Sequence, residues 1–179
     1  VLAKPIEESL ILLDHQLDVR GIEVDLKLES QAYVHGDSAD LESIFQNLVT
    51  NSRDAFDTRS GDHPRKISIH LSDVGESRVR AVYRDTAGGI PESVIEKLFV
   101  PFVTTKEPGK GTGLGLSLIH GIVEAHHGSV AVETEEGVGS TFTFEFPTCV
   151  PFVAKALRPA AATDEEVAPG GPEVRPRLL

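Results

Sequence analysis

The residues best suited to chemistry lie in one run between Phe99 and Leu116, FVPFVTTKEPGKGTGLGL. Closely spaced glycines indicate strained backbone, close approach to a ligand, or a moving segment, because glycine loses the most conformational entropy when it is ordered. Gly-rich backbone that opens into a helix can bind phosphate, since free amides and the positive end of the helix dipole converge there. We therefore interpret this run as the phosphate lid of a nucleotide site, with Lys106 as a phosphate contact. Neither GxxxxGK[ST] nor GxGxxG fits the glycine spacing, so a disordered glycine loop is the alternative.

A second candidate is the pair Asn47 and Asn51. Their spacing of four places both side chains on one face of a helix, beside its apolar stripe. Amide oxygens are hard ligands suited to Mg²⁺, which takes few protein ligands and keeps several waters. Taken alone, the pair is also typical of solvated or capping asparagines.

The third candidate is the run Asp-Thr-Ala-Gly-Gly-Ile over residues 85–90, at the end of a strand. The carboxylate of Asp85 could accept a hydrogen bond from an exocyclic amine, while the glycines let a flat ring lie close to the backbone. A plain turn is the alternative, because Asp and Gly are common turn residues.

Composition limits the class of protein. A formal net charge of −11 argues against binding nucleic acid or an anionic membrane surface. The single cysteine, Cys149, excludes an internal disulfide framework and a cysteine-based zinc site. No apolar run reaches transmembrane length, and the N-terminus lacks a signal pattern. The chain begins with Val and contains no Met, from which we expect a piece of a longer protein.

Hydrophobic periodicity predicts an α+β fold: a two-layer sandwich with a mixed sheet covered on one face by helices. The predicted helices are 5–19, 37–56, 91–98 and 113–126, and the predicted strands are 22–28, 33–34, 66–71, 78–83, 129–134 and 140–146. From residue 147 the pattern fails, and we expect a linker or disordered tail.

Three details of packing also follow from the pattern. The long helix should bury its stripe of Leu41, Ile44, Phe45, Leu48, Val49 and Phe56. The helix after the lid should turn Leu114, Leu118, Ile122 and Val123 inward. Phe99 and Phe102 should anchor the lid arm in an apolar pocket.

The combination of these runs resembles the sensor histidine kinases. Residues 47–55 (NLVTNSRDA) look like their N box, 85–90 like the first glycine box, 99–106 like the F box, and 111–116 (GTGLGL) like the second glycine box. The phrases PFVTTK and GTGLGLSLIHGIVEAHHG are similar to the subgroup of nitrogen-regulation and oxygen-sensing sensors. The resemblance covers about residues 22–147, and it implies the Bergerat ATP-binding fold with three helices, shared with gyrase B, Hsp90 and MutL.

The resemblance implies a domain division, cofactors and partners. Residues 1–21 would be a helix leading in from a missing dimerisation domain, 22–147 the catalytic domain, and 148–179 the tail. ATP and Mg²⁺ would be the cofactors, with Asn51 and Asn47 holding the metal. The partners would be the protein's own dimerisation domain and a response regulator receiver, in a cytoplasmic, homodimeric parent that binds no nucleic acid. The implied nucleotide-site residues are Asn47, Asn51, Asp54, Asp85, Gly89, Ile90, Thr105, Lys106, Gly111, Thr112, Gly113, Leu114, Gly115, Leu116 and Ser140.

Two residues depart from the family pattern. Ala87 stands where a glycine is usual, so that it either sits at negative φ or alters the loop. His127 replaces the first glycine of a His-Gly-Gly helix end, where we expect Gly128 to serve as the left-handed cap instead.

Function follows as a hypothesis with two alternatives. The domain would transfer the γ-phosphate of ATP to a histidine that this chain lacks, because His15 is followed by Gln where the phosphoacceptor motif has Glu. No catalytic base is assigned. An ATPase switch of the gyrase, Hsp90 or MutL type is disfavoured, because those relatives carry Glu at the position of Asn47. A degenerate nucleotide-binding module without turnover is the other alternative.

Overall fold

The computed structural model describes residues 1–106 and 111–150. Residues 107–110 of the predicted lid and 151–179 of the predicted tail lie outside this description. Its helices are α1 (Ala3–Asp18), α2 (Ser38–Thr58), α3 (Glu92–Ile95) and α4 (Gly115–Ala125), and its strands are β1 (Glu23–Leu28), β2 (Tyr33–Val34), β3 (Lys66–Val74), β4 (Arg78–Asp85), β5 (Ser129–Glu135) and β6 (Gly139–Cys149).

The strands form one mixed sheet, which confirms the predicted fold class. β1 pairs with β3 in parallel, whereas the pairs β3–β4, β4–β6 and β5–β6 are antiparallel. β6 runs to Cys149 because Tyr33 and Val34 of β2 pair with its last two residues. Residues 148 and 149, assigned to the tail from sequence, therefore lie in the sheet. The division of the whole chain into leading helix, catalytic domain and tail stays a prediction.

Strict alternation along the central strands gives the sheet one apolar face. Ile69, Tyr83 and Phe142 occupy one cross-strand row, and all three are buried. Apolar side chains of α1, α2 and α4 join the same core. The predicted stripe of α2 is confirmed, since Leu41, Ile44, Phe45, Leu48, Val49 and Phe56 are all buried. Asp37 caps this helix by accepting a hydrogen bond from the Ala39 amide at 2.8 Å.

The inward face predicted for α4 is half wrong. Ile122 and Val123 are buried as predicted, but Leu114 and Leu118 are exposed and Ile119 is buried instead. α4 carries apolar residues on most of its circumference, so periodicity alone does not select which of them face the core. The observed stripe is Ile119, Ile122 and Val123, at the i, i+3, i+4 spacing of one helix face.

The end of α4 also differs from the prediction. His127, with φ of 54°, takes the left-handed position that we expected Gly128 to take. The amides of His127 and Gly128 donate to the carbonyls of Glu124 and Val123, which is the Schellman arrangement with His127 at C′. Gly128 is needed for space, because a Cβ there would lie 2.6 Å from Phe146 Cδ1.

We expect His127→Gly to stabilise the domain by about 1 kcal/mol, because it removes the cost of a left-handed conformation for a residue with a Cβ. Equilibrium urea unfolding measures the change. His15→Gly is the matched control, since His15 is exposed within α1 and should lose about 0.5 kcal/mol. A His127→Gly protein no more stable than the unaltered chain would contradict the assignment.

Candidate nucleotide-binding site

The adenine-site candidate lies in a row of side chains at one end of the sheet. Strand register places Ile67, Asp85, Ser140 and Thr134 side by side across four strands. Asp85 and Ser140 are both buried. The row therefore lies on the apolar face of the sheet, and its polar side chains mark the end of that face.

Hydrogen bonds from two elements fix the Asp85 carboxylate. Ser52 of α2 donates to Oδ2 at 2.8 Å, and the Ala87 amide donates to Oδ1 at 2.9 Å. The hydroxyl of fully buried Tyr83 donates in turn to Ser52 Oγ at 2.8 Å. Burial raises the pKa of Asp85, although the hydrogen bonds from the Ala87 amide and from Ser52 oppose the shift. Burial, followed by the charge of Asp85, also raises the pKa of Tyr83 well above its ordinary value.

The loop after Asp85 keeps a regular backbone at Ala87. Positive φ falls on Gly88 and Gly89 and not on Ala87, so the first of the two possibilities for Ala87 holds. The Ile90 amide donates to Thr134 Oγ1 at 2.8 Å, which ties the end of the loop to β5. Ala87 therefore adopts a φ that does not require glycine.

The two asparagines of α2 face the start of α4. Asn47 Nδ2 donates to the Ser43 carbonyl at 2.8 Å, which turns Oδ1 the other way. A Cβ on Gly115 would lie 2.9 Å from that Oδ1 and 3.8 Å from Asn51 Nδ2. Only glycine thus lets the first turn of α4 approach this closely. The free amides of a helix N-terminus lie at this point.

Lys106 joins the same cluster through its ammonium group. Its Nζ lies 2.7 Å from Asp54 Oδ2 and 3.4 Å from Asn51 Oδ1. Arg53 also donates to Asp54, and its other nitrogen reaches Gln16 of α1. Partial burial alone would raise the pKa of Asp54, but hydrogen bonds and charges from Lys106 and Arg53 lower it overall. Asp54 is therefore an ionised partner of two cations.

Phe99, but not Phe102, anchors the arm before the lid in the core. Phe99 packs against the core, with its ring 5.0 Å from that of His120. Phe102, which we expected in an apolar pocket, is 75% exposed. Its φ of 68° turns the side chain outward, while its amide donates to the Gly113 carbonyl at 2.9 Å. The arm is thus held at its far end by backbone contact with Gly113.

The remaining residues predicted for the site differ in exposure. Leu116 and Ile90 are partly buried against the core, whereas Thr105, Thr112 and Leu114 are exposed. Gly111 is close to the preceding arm, since a Cβ there would lie 2.7 Å from Thr104 Oγ1.

Sequence reasoning missed Ser52 and Arg59. Ser52 lies on the buried stripe of α2, between Val49 and Phe56, and a polar residue at a core position is a recognisable signal. Arg59 donates to the carbonyls of Thr86 and Gly137, and no local sequence pattern predicts contacts between residues so far apart in the chain.

The donors of the asparagine cluster fit a magnesium ion. Asn47 Oδ1 comes close to the first turn of α4, and Asn51 Oδ1 lies 3.4 Å from Lys106 Nζ. Hard oxygen donors from one or two residues, with the rest of the shell left to water and phosphate, are what Mg²⁺ requires. In the described part of the chain, no three His, Cys, Asp or Glu side chains group in a way that could hold a metal ion.

Comparison with known proteins gives the class. The chain belongs to the family of histidine kinase-, DNA gyrase B- and HSP90-like ATPases, whose model matches residues 36–149. Within that family it is a catalytic ATP-binding domain of the sensor histidine kinase type, which confirms the resemblance to these kinases, while the subgroup stays a prediction. It is 35% identical to the sensor kinase CckA of Brucella abortus and 33% identical to sporulation kinase A of Bacillus subtilis. These matches cover 89% and 82% of this chain but only 19% and 23% of the relatives.

Solved structures of histidine kinases support the same class of protein. The catalytic domain of histidine kinase ThkA superposes with a TM-score of 0.66 at 30% identity, over 81% of this chain and 91% of that domain. Full-length ShkA in complex with AMPPNP gives 0.69 at 26% identity, over 84% of this chain and 31% of ShkA. ThkA in complex with the response regulator protein TrrA gives a TM-score of 0.64 at 28% identity, over 82% of this chain and 40% of that chain. Among the helices of the described residues, none combines the length and apolarity needed to span a bilayer.

Proposed function

We propose that this domain binds Mg-ATP and transfers the γ-phosphate to a histidine on a separate dimerisation domain, for relay to a response regulator. The observation that carries the proposal is convergence at one end of the fold. A buried, doubly hydrogen-bonded Asp85 lies beside one part of α2, and the cluster of Asn47, Asn51, Lys106 and the α4 N-terminus lies beside another. The first is suited to a base and the second to phosphates.

At the base end, Asp85 would accept a hydrogen bond from the adenine amino group. Both of its oxygens already accept one internal bond, and the carboxylate has lone pairs left for a ligand donor. Ser140, Gly89 and Ile90 adjoin it in the same row and loop. An acceptor at this position favours a purine with an exocyclic amine over one with a carbonyl oxygen.

At the phosphate end, Asn51 and Asn47 would hold Mg²⁺ through their amide oxygens. The ion would neutralise phosphate charge when it is bound. The ammonium of Lys106, now paired with Asp54, would turn to the phosphates, and the free amides of the α4 N-terminus would face them. Phosphoryl transfer needs mainly positioning and charge neutralisation, so these groups are sufficient without a catalytic base from this chain.

Exposed apolar residues beside the lid favour a docking site for a partner protein. Val100, Phe102, Leu114 and Leu118 are 42–75% exposed and adjoin the lid on both sides. Exposed apolar residues grouped at a functional site are typical of protein contact surfaces. We assign this surface to the dimerisation domain that carries the histidine, in a homodimeric, cytoplasmic parent of the nitrogen-regulation or oxygen-sensor subgroup.

Phosphotransfer in trans tests the proposal. The purified chain is titrated with Mg-ATP by calorimetry and then incubated with γ-labelled ATP, with and without its parent's dimerisation domain. We expect saturable binding, and label on the dimerisation domain only. Binding without transfer would favour the degenerate module, whereas rapid phosphate release by the chain alone would favour the ATPase switch. Undetectable binding at millimolar nucleotide would refute all three.

A further inference from the structure

Arg59 reaches the adenine loop from the end of α2. It is the C-cap residue of that helix, and its amide bonds to the Ala55 carbonyl. Its guanidinium Nη1 donates to the Thr86 carbonyl at 2.6 Å and Nη2 donates to the Gly137 carbonyl at 2.5 Å. One side chain therefore joins α2 to two different loops.

The two loops that Arg59 joins also contact each other. The Gly137 amide, in the turn between β5 and β6, donates to the Gly88 carbonyl at 2.7 Å. The aliphatic part of Arg59 covers the same loop, since a Cβ on Gly88 would lie 3.4 Å from Arg59 Cδ. Thr86 is tied on its other side to β3, through its amide to the Lys66 carbonyl at 3.1 Å. The guanidinium thus closes a frame around residues 86–88.

The frame needs arginine in particular. A planar guanidinium can donate to two carbonyls in a fixed geometry, whereas an ammonium is a point donor on a flexible stem. Gly88 lies inside the frame and Gly89 follows it directly, and both have positive φ. A segment with two such glycines is flexible when it is not held, so ordering it at the moment of binding would cost affinity.

We infer that Arg59 is a positioning residue for adenine recognition, which holds the 86–88 loop in place before the nucleotide arrives. The inference rests on the proposed function, because it assumes that Asp85 and this loop receive the base. The contacts of Arg59 are to Thr86, Gly137 and Gly88, and not to the cluster of Asn47, Asn51 and Lys106 that would bind the phosphates. Its loss should therefore raise the KM and Kd for ATP while leaving kcat at saturating ATP unchanged.

The test compares Arg59→Met and Arg59→Lys with the control Arg84→Met. Arg84 precedes Asp85 on the same strand, so its side chain lies on the opposite face of the sheet. There its guanidinium Nε donates to Thr141 Oγ1. We expect Arg59→Met to weaken ATP binding about tenfold, the equivalent of one charge-assisted hydrogen bond. Arg59→Lys should recover part of the loss, and Arg84→Met should stay within about twofold of the unaltered protein.

A second readout needs no nucleotide. Amide hydrogen exchange of Gly137, whose N–H bonds to Gly88, should accelerate about tenfold in Arg59→Met, while amides in the middle of β4 keep their rates. Unchanged exchange at Gly137, or unchanged ATP affinity in a protein that binds ATP, would overturn the inference. If the unaltered protein binds no ATP but the exchange result holds, the proposed function fails and the adenine role of Arg59 fails with it, which leaves only a structural clamp.

Discussion

Asp85→Asn is expected to weaken ATP binding about 100-fold, the largest effect of any single polar substitution in the site. The carboxylate accepts bonds from Ser52 and from the Ala87 amide, and it would accept a third from the adenine amine. An amide group puts a donor where one of these donors already points. Inside the protein the Ser52 hydroxyl can rotate to relieve this conflict, but the adenine amine can only donate and is left unsatisfied in the complex, which costs about 1–3 kcal/mol. Calorimetric titration with Mg-ATP measures the loss.

The same substitution separates binding from stability. Burial raises the pKa of Asp85 in the folded protein above its unfolded value, so the ionised carboxylate disfavours folding at neutral pH. That cost disappears as pH falls through the raised pKa and is absent below the unfolded pKa. At neutral pH, Asp85→Asn should therefore unfold at the same or a higher urea concentration than the unaltered protein. ATP affinity of the unaltered protein should fall on acidification through the raised pKa.

Asp73→Asn is the matched control for this prediction. Asp73 also lies on a strand and accepts a serine hydroxyl, from Ser30, but its register places it away from the row of Asp85. It should leave ATP affinity within about twofold. Asp85→Asn with unchanged affinity would remove Asp85 from the nucleotide site.

Gly89→Ala is expected to destabilise the domain by about 2–4 kcal/mol and to disorder the adenine loop. A Cβ at this position would lie 2.1 Å from the Glu135 carbonyl oxygen and 3.1 Å from Thr134 Oγ1. The φ of 73° adds the cost of a left-handed conformation, about 1 kcal/mol. Relief of the clash moves the loop off β5 and breaks the bond from the Ile90 amide to Thr134. Urea unfolding and ATP titration measure both effects.

Gly75→Ala isolates the backbone part of that cost. Gly75 has φ of 61° in the turn between β3 and β4, and a Cβ there would meet nothing within 4 Å. We expect a loss of about 1 kcal/mol with unchanged ATP affinity. If the two substitutions destabilise the domain equally, the loop can move away from Glu135 at no cost. That result would contradict the close packing of Gly89 against the Glu135 carbonyl.

Local pattern was sufficient for most of the candidate site. Asn47 and Asn51 are one helical turn apart, and Asp85 and its glycines are contiguous, so spacing along the chain reports their geometry directly. All apolar residues of the α2 stripe were predicted, because polar residues separate them clearly along the chain. The buried face of α4 was predicted poorly because the helix is apolar on most sides. The exposure of Phe102 was not predicted, because a positive φ at a phenylalanine leaves no signal in composition.

The sequence by itself determined the family and the class of ligand, and it predicts which residues would touch that ligand, because these depend on short motifs whose geometry is set by neighbours in the chain. Only the tertiary structure decided how those residues are held. Ser52 meets Asp85 across 33 residues, Arg59 meets Thr86 across 27, and Lys106 meets Asp54 across 52. Such contacts depend on strand register and on how α2 lies across the sheet, which are properties of the packed core and not of any local run of residues.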